Sequence, residues 1–202
     1  MTETSRARPG VAEWTGGLSL VTILAAVFGL LLIQAIVLLL MGRHPICTCG
    51  SVKVWYGIVK SAENSQHLFD WYSFTHIIHG FIFYGVLTLI APRTPIALRL
   101  VLALAFEGTW EIIENTNFVI NRYRADTISL DYYGDSIVNS IGDSVAMLAG
   151  FLLASRLPIW MTIAFAFIIE VGLAVTIRDN LTLNVIMLVH PFDAIKAWQA
   201  GG

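Results

Sequence analysis

Three glutamates, Glu107, Glu111 and Glu114, recur at i, i+4 and i+7, so a helix carrying them lines them up on one stripe. Asp135, Asn139 and Asp143 follow at i, i+4 and i+8, and His76 and His79 at i and i+3. Three such stripes facing one cavity would assemble the groups that move protons in general acid–base catalysis or hold a divalent metal. An acid near the centre of a lipid-embedded helix costs about 2.5–3.5 kcal/mol on insertion scales, so several are expected only where they face protein, water, a proton or a cation. Stacked carboxylates also repel, so one or more must be protonated, paired or metal-bound. Glu114 and Asp135 lie near helix ends, where hydration or, for Asp135, an N-cap role is the competing reading. For His76 the rival to a ligand role is an interhelical hydrogen bond. Glu170 stands apart near the middle of an apolar run, open to pairing with a polar helix or to a proton path.

The elements that must position these groups are membrane spans. Of 202 residues 56% are hydrophobic and only 13% charged, about half the charge of an ordinary soluble domain. Twelve Lys+Arg against fourteen Asp+Glu leave no global basic field, which excludes nucleic acid as a partner. Residues 1–17 read as a flexible polar tail. Leu18 to Met41 carries no charge over 24 residues and reads as an uncleaved anchor, too long for the h-region of a signal peptide. Further spans are expected at 73–90, 96–118, 135–155 and 159–177, with prolines at 92, 95 and 158 closing the turns between them. Residues 42–72, with Trp55, Tyr56, Trp71 and Tyr72, read as a structured loop on the membrane surface. The stretch 181–199 is too short and too polar to cross and reads as interfacial, with a sixth span as the fallback. The expected fold is an all-α polytopic membrane bundle of about five spans.

This connectivity gathers the unusual residues on one side of the membrane. Asp70, His76 and His79 open span 2, the glutamates close span 3, Asp135 and Asn139 open span 4, and Arg178 closes span 5. With the N-terminus inside, five Lys or Arg fall inside and seven outside, against the positive-inside tendency. The N-in orientation is still preferred, because the outer seven sit among acids and motif-like polar residues. The two cysteines, Cys47 and Cys49, cannot build a disulfide framework; two ordinary loop thiols are favoured over a redox or metal-touching pair.

Five histidines are too few for a membrane histidine-box diiron oxygenase. The Glu-x-x-His pairs of ferritin-type bundles are missing, as are a nucleophile elbow, a zincin helix and a P-loop. A metal on His76, His79, Glu111 and Asp135 would suit Zn, Mn or Fe by ligand type. The segments HisProIleCysThrCysGly (44–50), GluAsnSerGlnHis (63–67), HisIleIleHisGlyPhe (76–81), TrpGluIleIleGluAsnThr (110–116), ThrIleSerLeuAspTyrTyrGlyAspSer (127–136) and IleArgAspAsnLeuThrLeuAsn (177–184) resemble those of a family of uncharacterised bacterial inner-membrane proteins, catalogued as a domain of unknown function. A fainter resemblance is to VanZ-like proteins, carried by Asp70, His76 or His79, Glu111, Arg124, Asp135, Asn139 and Gly142. These resemblances imply a multi-pass protein of the bacterial inner membrane with a link to the cell envelope.

The expected activity is a membrane-embedded hydrolase or transferase acting on a lipid or lipid-linked envelope substrate. The expected catalytic groups are His76, His79, Glu107, Glu111, Asp135, Asn139 and Asp143, with or without a divalent metal. Arg122, Arg124, Arg178 and Asp70 are the expected substrate-binding residues, the arginines being suited to a phosphate group. The alternative is a small proton-coupled transporter subunit or an envelope assembly factor without catalysis.

Overall fold

The structure, a computed structural model, describes residues 14–126 and 131–201. The expectation for a flexible tail falls almost wholly on residues outside this range. Eight helices order the described residues: α1 (Leu20–Leu40), α2 (Ser73–Ile90), α3 (Ile96–Glu114), α4 (Asn117–Asp126), α5 (Ile137–Ala154), α6 (Ile159–Ile177), α7 (Leu181–Val189) and α8 (Asp193–Ala200). Four of them, α1, α2, α5 and α6, are long and apolar enough to cross a membrane. α3 has 19 residues but carries charge; Arg99, Glu107 and Glu111 are buried inside the bundle, whereas Leu98, Leu102, Phe106 and Ile113 face outward. Its outer surface is therefore as apolar as that of its neighbours.

The centre of the bundle is the α2–α5 pair, where Gly142, Ala146 and Gly150 form a stripe of small residues that lets backbones touch. A Cβ at Gly150 would run into the Ile77 carbonyl, and one at Gly80 into the Met147 carbonyl and the Phe151 amide. α3 and α1 pack on this pair around Leu87, Leu100, Leu104, Met147 and Phe151. α1 is apolar on all sides except Gln34, which is buried; its amide donates to Ser140 Oγ at 2.7 Å and accepts from Ser144 Oγ at 2.9 Å. In contrast, α6 buries only Leu173.

Several expected boundaries move. The third helix ends at Glu114, not at 118, because Asn115 turns the chain, and a separate helix, α4, begins at Asn117 in the last residues of the expected span and runs on into the polar stretch after it. α5 begins at Ile137 with Ser136 as its N-cap, accepting from the Asn139 amide at 3.2 Å, so Asp135 is neither helical nor the cap. α7 has nine residues, spanning roughly 14 Å, and cannot supply a sixth crossing. Glu170 is also settled: its carboxylate accepts from the amides of Leu181 (2.9 Å) and Thr182 (3.1 Å), capping α7 from the side of α6.

The loop 42–72 packs into the polar end of the bundle. Gln66 donates to the Gly134 carbonyl (2.8 Å), and Asn139 donates to the His67 carbonyl (2.7 Å). Asp70 accepts from the amides of Ser65 and Tyr72 and so shapes the entry to α2, while burial pushes its carboxyl above the usual range. Cys47 and Cys49 are joined in a disulfide, against the expectation of two ordinary thiols.

A candidate His/Glu/Asp centre

Glu107, wholly buried on α3, lies between the two histidines of α2. Its carboxylate meets His76 Nδ1 at 2.5 Å and His79 Nδ1 at 3.1 Å. One helical turn on, Glu111 Oε1 stands 3.4 Å from the same His76 Nδ1, and its other oxygen accepts from Ser140 Oγ at 2.7 Å. On the far side of the ring, His76 Nε2 is 3.9 Å from Asp143 Oδ2. Asp143 in turn accepts from Ser73 Oγ at 2.6 Å. Five of the seven expected catalytic residues therefore converge, because α2, α3 and α5 each turn one stripe toward a common axis.

The other two serve the frame. Asn139 holds the loop through His67. Asp135 exchanges two 2.7 Å hydrogen bonds with Asn115 and accepts from Tyr132. The expected metal set of His76, His79, Glu111 and Asp135 is accordingly replaced. The groups whose ligand atoms lie within 4.8 Å of one another are His76, His79 and Glu107, and His76, Glu111 and Glu114. A third group of this kind, Cys47, Cys49, Glu63 and His67, is spent on other bonds. Its cysteines are paired, and His67 Nδ1 accepts from the Lys53 amide, which leaves the proton on Nε2 facing Glu63.

A cavity of about 360 Å³ opens beside the centre. Its lining includes the polar residues His76, His79, Glu114, Asp135 and Asp143 and the apolar residues Ile82, Phe83, Leu181, Val185 and Leu188. Among the described residues the lining contains no lysine or arginine. Arg122 donates to the carbonyls of Leu188 and Val189, Arg178 donates to the Trp198 carbonyl, and Arg124 is exposed. The expected phosphate-binding arginines thus lie outside the cavity, two of them tying the C-terminal helices to the bundle.

Sequence reasoning passed over Gln34, which bonds Ser140 and Ser144, and over Ser73 and Ser140, whose hydroxyls bond the buried acids Asp143 and Glu111; it gave no role to Asp179, which gathers Tyr72, Asn184 and Gln199. A single glutamine within an uncharged run was the available signal for the first. Burial raises the Asp179 carboxyl to about 6, the donors around it acting in the opposite sense.

Helices of this length and apolarity around a buried polar centre define an integral membrane protein. The chain belongs to the DUF2585 family, described as a protein of unknown function, whose model matches residues 38–201. It is 58% identical over 178 residues to a UPF0314 protein of Rhizobium meliloti, covering 88% of this chain and 90% of that one. A UPF0314 protein of Brucella anthropi is 52% identical over 194 residues (96% and 95% covered), and one of Paracoccus denitrificans 51% over 175 residues (87% and 91%). These matches do not show the VanZ-like likeness. No solved structure matches the chain.

Proposed function

We propose that the protein is a membrane-embedded hydrolase or transferase acting on a lipid or lipid-linked envelope molecule. The observation that carries this reading is the mixed lining of the cavity, which brings His76, His79 and Asp143 together with apolar side chains such as Ile82, Phe83 and Leu188 and so suits an amphiphile. Glu107 accepting from Nδ1 of both histidines would fix their tautomers and leave each Nε2 as the basic nitrogen. An imidazole so held can take a proton from an attacking water or alcohol, and the imidazolium so formed can return it to the leaving oxygen. The second reading, a proton-carrying transporter subunit, draws support from the hydrogen-bonded series His76, Glu107, His79, with Asp143 3.9 Å beyond His76 Nε2.

Lipid and glycan profiling tests the first reading. Cells lacking the protein are expected to accumulate an envelope lipid or lipid-linked glycan, and cells carrying Glu111→Gln to match them. Cells carrying Arg124→Gln are expected to match the wild type, since Arg124 lies outside the cavity. An unchanged inventory in the deletion strain overturns the enzyme reading in favour of transport or assembly.

The membrane is read as the bacterial inner membrane, α3 as a fifth crossing, and the N-terminus as cytoplasmic, which puts the cavity on the periplasmic side. The Cys47–Cys49 disulfide supports this, because such bonds persist in the oxidising periplasm and are rare in the cytosol. Reporter fusions after Lys60, Thr94 and Gly202 are expected to read outside, inside and outside. A cytoplasmic reading at Lys60 reverses the orientation, and termini on one side mean an even number of crossings.

A further inference from the structure

The geometry points to a divalent transition-metal site whose first three ligands are His76 and His79 through Nδ1 and the Glu107 carboxylate, with Glu111, which meets this set through His76, as the ligand that would close in on the ion. Ligand atoms about 2.0–2.1 Å from a tetrahedral zinc ion stand roughly 3.4 Å from one another. His79 Nδ1 to Glu107 is 3.1 Å and His76 Nδ1 to Glu111 Oε1 is 3.4 Å, so these pairs already stand near coordination spacing. The closest pair, His76 Nδ1 and Glu107 Oε1 at 2.5 Å, needs to open by less than 1 Å.

A second observation is independent of spacing. Glu111 is 1% exposed, and its Oε1 has no hydrogen-bond partner although it is aimed at His76. A buried carboxylate oxygen left unmatched is costly, and a cation between it and the imidazole removes that cost.

Charge gives a third argument. Glu107, Glu111 and Asp143 meet histidines and hydroxyls, not lysine or arginine. A divalent ion would neutralise the two ligating carboxylates in a region remote from bulk water. Two imidazoles with two carboxylates are a borderline donor set, suited to Zn²⁺, Mn²⁺ or Fe²⁺ and poorly suited to Cu⁺. Ser140 on Glu111 and Asp143 beside His76 Nε2 supply the outer hydrogen bonds that hold such ligands in position. The inference rests on the ligands and not on the lipid reading. The ion would take the place of the Nδ1 protons, so each ring would carry its proton on Nε2; if the lipid reading holds, the ion, and not an Nε2 base, would then act on a phosphate-bearing head.

Elemental analysis of the full chain purified in detergent, followed by equilibrium titration with Zn²⁺ and Mn²⁺, tests it. The wild type is expected to carry or take up close to one equivalent. His79→Ala and Glu111→Gln are expected to bind at least tenfold more weakly while eluting as the same monodisperse species, and Glu63→Gln to bind as the wild type does. A Cys47→Ser, Cys49→Ser double variant is expected to keep the equivalent. Wild-type protein that takes up neither ion overturns the site even if both ligand variants misfold, and loss of the metal in the double cysteine variant overturns it by assigning the ion to the loop. Metal-free protein that restores a normal lipid inventory discards the metal alone. Metal-loaded protein whose deletion leaves lipids unchanged discards the lipid reading alone.

Discussion

Glu107→Gln is expected to leave cells with the envelope inventory of the deletion strain, a loss of activity of at least a hundredfold with the protein still inserted at normal level. The substitution keeps the shape of the side chain. A carboxylate can accept from two Nδ1–H groups at once, whereas an amide offers one accepting oxygen and turns its nitrogen toward the other ring. One histidine must then reverse its tautomer or leave the site, and the charge that stabilises a developing imidazolium is gone. Activity above a tenth of the wild type, measured by complementation and lipid profiling, would remove Glu107 from the centre of the chemistry.

Gly150→Ala is expected to destabilise the bundle by about 3 kcal/mol or more although it adds a single methyl. That methyl would meet the Ile77 backbone carbonyl, which cannot move aside as a side chain can, so α2 and α5 must separate along their whole contact. Overpacking costs about 1–3 kcal/mol where flexible neighbours can give way, and a backbone obstacle puts this change at or above the upper end. Against a total stability of about 5–15 kcal/mol, the separation also breaks the alignment of His76 with Asp143. Gly172→Ala on α6, where nothing lies within 4 Å, is the matched control and should be neutral. Thermal unfolding in detergent reads both; equal stability would mean that the small stripe does not set the helix spacing.

The helices and the convergence of His76, His79, Glu107, Glu111 and Asp143 were legible in the sequence because helical periodicity decides which residues share a stripe. Periodicity stops at helix ends. Asp135 fits the stripe numerically, yet it lies two residues before α5 begins and is taken by Asn115, so its spacing does not bring it to the His76–Glu107 cluster. The arginines fail for another reason. Their long side chains reach whichever carbonyls lie near, here those ending α7 and α8, and spacing along the chain carries no sign of that choice. Glu170 reads as an intramembrane acid of unknown purpose until the fold brings α7 back against α6.

The order of synthesis bears on α3. As this helix leaves the ribosome, the histidines that receive Glu107 have already been made, 31 and 28 residues earlier. The hydroxyl that receives Glu111 belongs to Ser140, 29 residues later. With α3 crossing as proposed, Glu107 would meet both its histidines at insertion, whereas Glu111 would have only His76 until α5 brings Ser140. On that reading the first three helices would form an assembly intermediate that α5 completes, and not an independent unit.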